Sequence, residues 1–167
     1  VVGGLAGGAD MILIPEVKSS IDEVCHHIRW RWQRGKTFSI IVVSEGADVE
    51  EVRYDETELG SKDEFGHVRL DRRGLAETIA REVEQRTGFE SRSVVLGHLQ
   101  RGGSPTVFDR VLATRLGVRA ADLAHEGTTG VMVGLQGDQI VNVPLKEAMS
   151  RIKTVDLELY YMARTFF

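Results

Sequence analysis

The 167 residues are 42% hydrophobic and 28% charged with 18 Gly and 3 Pro, which fits a folded domain of ordinary size and excludes a disordered or collagenous chain. With 21 basic against 25 acidic side chains the net charge is -4 at pH 7, so no overall positive field recruits nucleic acid or an anionic membrane. The single cysteine, Cys25, excludes an internal disulfide and a Cys-based zinc site. No apolar run approaches the length of a membrane span and the start lacks the basic residues of a signal peptide, so the expected location is cytoplasmic.

The chain begins Val1-Val2 rather than with methionine and is expected to be a piece of a longer polypeptide. Gly3-Gly4 and Gly7-Gly8 lack both the G-x-G-x-x-G spacing and the Walker ending, so they predict the end of a helix rather than a phosphate loop. Four consecutive apolar residues, Met11 to Ile14, closed by Pro15, predict a strand buried on both faces. From Ser20 the spacing becomes helical: Ile21, Val24, Cys25, Ile28 and Trp32 share one face, Ser20 and Glu23 have capping-box spacing, and Gly35 is the stop. Phe38 to Val43 predicts a second buried strand running into Ser44-Glu45-Gly46.

Residues 46–73 hold 9 acidic and 5 basic side chains among 28 and no sustained period, which predicts an exposed excursion with a hairpin around Gly60 and Gly66. Its net -4 equals the imbalance of the whole chain, leaving the remaining body neutral. Residues 74–87 return to a helix with Leu75, Ala76, Ile79 and Val83 inward and Gly88 as stop, and Ser93 to Leu96 predicts a third short strand. Ser104 is the expected N-cap of a long helix with Pro105 at its first position. That helix has an apolar face of Phe108, Val111, Leu112, Leu116, Ala120 and Leu123 and ends near Gly127. Gly130 to Leu135 and Gln139 to Val143 predict strands joined across Gly137-Asp138, and Pro144 opens a further helix.

Alternating strands and helices imply an α/β fold of three α/β/α layers around a mainly parallel sheet. Ligands of such sheets sit beyond the carboxyl ends of the strands. Three of those ends carry chemistry: Pro15-Glu16, Ser44-Glu45-Gly46 and the segment 97–104. In RSVVLGHLQRGGS (92–104) two arginines flank a strand and His98 lies between them. Guanidinium forks match the acceptor geometry of a phosphate monoester, an imidazole can add a further donor, and the amides of the following helix would face the anion. Spacing alone equally allows solvated arginines and a satisfied turn histidine. Glu45 could accept from sugar hydroxyls, or stand solvated in its loop. Cys25, His26 and His27 are adjacent and fall on different helix faces, which argues against a metal site. The basic residues around Trp30 and Trp32 sit at a helix C-terminus, where cations are favourable without any ligand.

The segment VVLGHLQRGGSPTVFDRVLATRLG (94–117), with AGGADMILIPE (6–16), RGKTFSIIVVSEG (34–46) and VGLQGDQIVNVPL (133–145), resembles the C-terminal half of bacterial 6-phosphofructokinases over nearly the whole chain. DEFGH (63–67) is similar to the longer actinobacterial-type members. The resemblance implies the C-terminal portion of the phosphofructokinase fold: a sugar-phosphate lobe at 1–101 with 46–73 inserted, a segment 102–150 packing with a nucleotide lobe upstream, and a helix at 151–167 returning to the sugar lobe. It implies phosphoryl transfer to the 1-hydroxyl of fructose 6-phosphate in glycolysis, with Mg2+ and with ATP as donor, or pyrophosphate as the alternative.

By motif, Glu45 matches the glutamate that binds the sugar hydroxyls, His98 and Arg101 match residues holding the 6-phosphate, and Arg92 matches one reaching a neighbouring subunit's phosphate. A homo-oligomer is therefore implied. Asp10, Arg34 and Lys36 match an effector site of an allosteric tetramer, where Phe38 departs from the usual histidine. The nucleotide loops and the catalytic base lie upstream of residue 1 in the family, so this chain alone is expected to be inactive. A standalone sugar-phosphate or nucleotide-binding regulatory module is the reading from another class.

Overall fold

The computed structural model describes residues 1–52, 74–150 and 153–167. The expected hairpin around Gly60 and Gly66 lies outside them. The described chain divides into two units, Val1–Val95 with Thr154–Phe167, and Leu96–Lys153.

In the first unit, helix α1 (Val2–Ala6) ends at the Gly7-Gly8 turn and leads into strand β1 (Met11–Leu13), so the glycine pairs do close a helix. Strand β2 (Ser19–Ser20) passes directly into helix α2 (Ile21–Gln33). Ser20 caps α2 through both bonds of a capping box with Glu23, which satisfies two amides that a helix start otherwise leaves bare. Strand β3 (Ile41–Val43) returns parallel to β1 in the register Met11↔Ile41 to Leu13↔Val43, completing a βαβ unit. Strand β4 (Val49–Glu50) pairs parallel with β2. Helix α3 (Leu75–Thr87) stops at Gly88, whose φ of 76° is a left-handed value that glycine accepts without strain. Helix α6 (Leu157–Arg164) starts from an Asp156 cap.

Two apolar clusters hold this unit. On one side of β1, Leu13 packs with Ile21, Val24 and Cys25 of α2, with Ala47, Val49 and Val52, and with Leu75, Ile79 and Val83 of α3. On the other, Ile12 and Ile14 pack with Ala9, Tyr160 and Ala163. The double-sided burial predicted for residues 11–14 is thus realised, α2 and α3 filling one face and α6 the other. Gly4 permits the close approach: a Cβ there would stand 2.7 Å from the Ile12 side chain.

The second unit contains a 3₁₀ helix (Gly97–Arg101), helix α4 (Val107–His125), strands β5 (Val131–Gln136) and β6 (Gln139–Pro144), and the short helix α5 (Leu145–Ala148). β5 and β6 form the expected hairpin across Gly137-Asp138, antiparallel from Gln136↔Gln139 outward. Its apolar residues find little cover. Leu123 is the buried residue of α4, while Phe108 and Val111, assigned to its inward face, are 65% and 53% exposed.

Several local expectations change. The second strand, expected over Phe38 to Val43 and buried, is Ile41–Val43 and only partly buried, with Phe38 and Ile40 exposed. Residues 93–96 form no strand, because a strand exists only by pairing and no described residue pairs with them; Val94, Val95 and Leu96 stand exposed. The described strands accordingly form three two-stranded ladders, two parallel and one antiparallel. The long helix starts at Thr106, not Ser104. Thr106 Oγ1 accepts from the Asp109 amide at 3.2 Å and an Asp109 carboxylate oxygen accepts from the Thr106 amide at 2.7 Å, whereas Ser104 would have faced Val107, which can return no bond.

Candidate functional site

Parallel pairing of β1 and β3 puts both strand starts at one edge and both ends at the other. At the carboxyl edge the chain leaves β3 through Ser44-Glu45-Gly46. The Ser44 amide donates to Leu13 O at 2.9 Å, the Ala47 amide donates back to Ser44 O at 2.9 Å, and the Ala47 side chain is buried. The turn is pinned at both feet and carries Glu45, exposed and without a hydrogen bond or ion pair among the described residues, at its crest. Gly46 lies against the neighbouring loop, where a Cβ would meet Pro15 at 3.6 Å.

Arg92, also in the first unit, lies in extended chain after α3. Its Nε and Nη2 both donate to Glu90 Oε1, at 2.9 and 2.6 Å, with side chains 84% and 72% exposed. A pair this open contributes about 0–1 kcal/mol.

In the second unit, His98 and Arg101 stand three residues apart on the 3₁₀ helix. Residues i and i+3 eclipse in that helix, so the two share a side. Gly97 enters the turn at φ 50°, and Gly102-Gly103 leave it, Gly103 at φ 119°. Both side chains belong to exposed residues and have no partner among the described ones. The expected contribution of the next helix's amides is changed by the capping box: Asp109 sits in the first turn, and hydrogen bonds from Thr106 hold its carboxyl below the usual carboxylate range. A fixed negative charge there opposes an anion rather than inviting one.

The effector candidates gather at the opposite edge of the first unit. Asp10, at the mouth of β1, uses one carboxylate oxygen for Arg31 at 2.6 Å and accepts the Ile40 amide on the other at 2.8 Å. Arg31 also donates to Ser39 Oγ at 3.0 Å. Arg34 lies 3.9 Å over the Trp30 ring, and Lys36 follows in the same connection. Nearby, His27 Nε2 is buried without a partner among the described residues, and burial, aided by the Arg31 charge, pushes the imidazole pKa below its ordinary value.

Sequence reading missed three contacts. Arg31 was one of a basic cluster and proves to be the partner of Asp10. Arg86 joins Asp22, Glu51 and Glu82, at 2.8, 2.8 and 3.2 Å, so three carboxylates hold its guanidinium charged. Glu16, marked only as a strand-end acid, accepts from the amide of Val155 at 3.0 Å. The i,i+4 spacing of Glu82 and Arg86 was a readable signal; the others join positions far apart in the chain.

The family model described as Phosphofructokinase matches residues 1–124. Over 167 residues the chain is 49% identical to a pyrophosphate--fructose 6-phosphate 1-phosphotransferase of Streptomyces coelicolor, covering 98% of this chain and 47% of that protein. It is 49% identical over 164 residues to an ATP-dependent 6-phosphofructokinase of Mycobacterium tuberculosis, with 98% and 47% covered. Among solved structures, Pichia pastoris phosphofructokinase in the T-state aligns at TM-score 0.58 and 28% identity, over 89% of this chain and 14% of that one. These likenesses agree with the α/β architecture and with the 94–117 motif. The chain belongs to the phosphofructokinase family. It spans about half the length of the curated relatives it matches.

Proposed function

We propose that this chain is the sugar-phosphate-binding part of a 6-phosphofructokinase, working with an N-terminal half that brings the phosphoryl donor and the catalytic base. The observation that carries the reading is the 3₁₀ turn at 97–101, which sets an imidazole and a guanidinium on one side, with neither committed to another group among the described residues. Such a pair suits the acceptor oxygens of a phosphate monoester. Glu45, uncommitted on a pinned turn at the carboxyl edge of β3, would take the sugar hydroxyls, since an ionised carboxylate only accepts. Arg92 would add a guanidinium after breaking its weak pair with Glu90, and in an oligomer it would serve a neighbouring subunit.

Phosphoryl transfer depends on positioning and on neutralising charge at the moving group. In this account the residues of this chain bind and orient the acceptor. The donor is ATP or pyrophosphate, as relatives of equal likeness carry both names. Magnesium would enter with the donor. The Asp10 carboxylate is engaged on both oxygens, by Arg31 and by the Ile40 amide.

The exposed apolar residues of the second unit support a piece that folds against further protein, either the N-terminal half or a second copy. No described helix is long and apolar enough to cross a membrane. The test is titration calorimetry with fructose 6-phosphate. A family-length enzyme carrying this sequence should bind it, and the 167-residue chain alone should bind far more weakly. Micromolar binding by the isolated chain would instead favour a standalone sensor module, and phosphoryl-transfer assays with each donor separate the two kinase readings.

A further inference from the structure

Pro15-Glu16 is the one chemistry-bearing strand end that this reading leaves without a role. Glu16 Oε1 accepts from the Val155 backbone amide at 3.0 Å, across 139 residues of sequence. Val155 is where the chain has just re-entered the first unit at Thr154, one residue before the Asp156 cap of α6. Its side chain packs against the same cluster as Ile12 and Ile14 of β1. On its other flank, Pro15 lies beside Gly46, where an added Cβ would stand 3.6 Å from its ring, and the Ser44 amide is tied to Leu13 O at 2.9 Å, so the loop after β1 and the turn carrying Glu45 are neighbours at the carboxyl edge.

We propose that Glu16 is a positioning residue: by accepting the Val155 amide it ties the returning chain to the carboxyl end of β1 and braces the Pro15 loop against which the turn carrying Glu45 is set. The inference rests on the Glu45 reading given above. The Val155 amide is paired with no described strand, and the loop following β1 supplies its acceptor from a side chain. What the bond requires is an oxygen at the reach of Glu. Negative charge is incidental, since the donor is a neutral backbone N–H.

That distinction makes the proposal testable by three substitutions in a family-length enzyme. Glu16→Gln keeps the acceptor at the same reach without charge, Glu16→Asp keeps the charge and shortens the reach, and Glu16→Ala removes both. Hydrogen exchange at the Val155 amide reads the bond directly; the KM for fructose 6-phosphate, set against kcat, reads the consequence for Glu45. Gln should retain Val155 protection and KM. Asp and Ala should lose protection and raise KM about tenfold with kcat within about twofold, a misplacement effect on binding rather than chemistry.

The order of the variants decides the matter even if Ala fails to fold, because Asp and Gln differ so little from Glu. Equal impairment of Gln and Ala, with Asp near normal, would show that charge is what matters and overturn the proposal. Lost Val155 protection with an unchanged KM would overturn the link to Glu45. Glu45→Ala is run in parallel: if it leaves KM unchanged, the sugar-site reading fails and takes the link with it, while the exchange data still report on the Glu16–Val155 bond.

Discussion

Arg101 and Arg92 carry the same guanidinium but start from different states, and that difference sets a measurable order. Arg101 has no partner to give up among the described residues, whereas Arg92 donates twice to Glu90 Oε1. A charge-assisted hydrogen bond contributes about 1.5–3 kcal/mol, so losing that of Arg101 should weaken binding by roughly 10- to 150-fold at 1.4 kcal/mol per decade. The exposure of the 3₁₀ turn favours the lower part of that range. For Arg92, the surface pair with Glu90 must first be broken, which subtracts about 0–1 kcal/mol from its contribution. Arg92→Ala should therefore cost less than Arg101→Ala, and Glu90→Ala, which frees Arg92, should tighten binding by up to about fivefold. Titration calorimetry with fructose 6-phosphate on the family-length enzyme, at low and high salt, reads all three. A loss under threefold for Arg101→Ala, or weaker binding in Glu90→Ala, would refute the reasoning.

The remaining expectations concern the fold. Ile21 is fully buried between β1, α2 and α3, so Ile21→Ala should destabilise the first unit by about 2–5 kcal/mol in urea unfolding with an unchanged m-value; less than 1 kcal/mol would mean the cluster is looser than drawn. His27 has its pKa held below 6.5 by burial, so the unfolded chain binds its proton first. Stability from this group is complete above pH 6.5 and falls as the pH drops through the range below it, and His27→Gln should flatten that slope in pH-dependent unfolding. Cys25 is buried and its thiol pKa is pushed up by that burial, so it should resist iodoacetamide in the native chain and react on unfolding. Fast native labelling would contradict its place in the core.

Much of the first unit was legible because its signals are local. The i, i+3, i+4 spacing of Ile21, Val24, Cys25 and Ile28, the Ser20–Glu23 box and the Gly35 and Gly88 stops each act within one or two turns, and α2 and α3 appear where they place them. The start of α4 shows the limit of such reading. Ser104-Pro105 and Thr106-Val107 both look like helix starts, and the choice falls to the box that Asp109 completes. Residues 93–96 have the composition of a strand and lack its neighbours.

The sequence by itself determined the elements that depend on short-range periodicity and capping, the parallel βαβ order, and, through the 94–117 motif, the family. Tertiary structure alone decided which charged groups are free to act. Glu16, Glu45 and Asp10 are alike as carboxylates near strand ends, yet Asp10 is taken by Arg31 and Ile40, Glu16 by an amide 139 residues away, and Glu45 stands open. A side chain's chemistry is set by its type, but its availability depends on partners that only the folded path of the chain brings within about 3 Å.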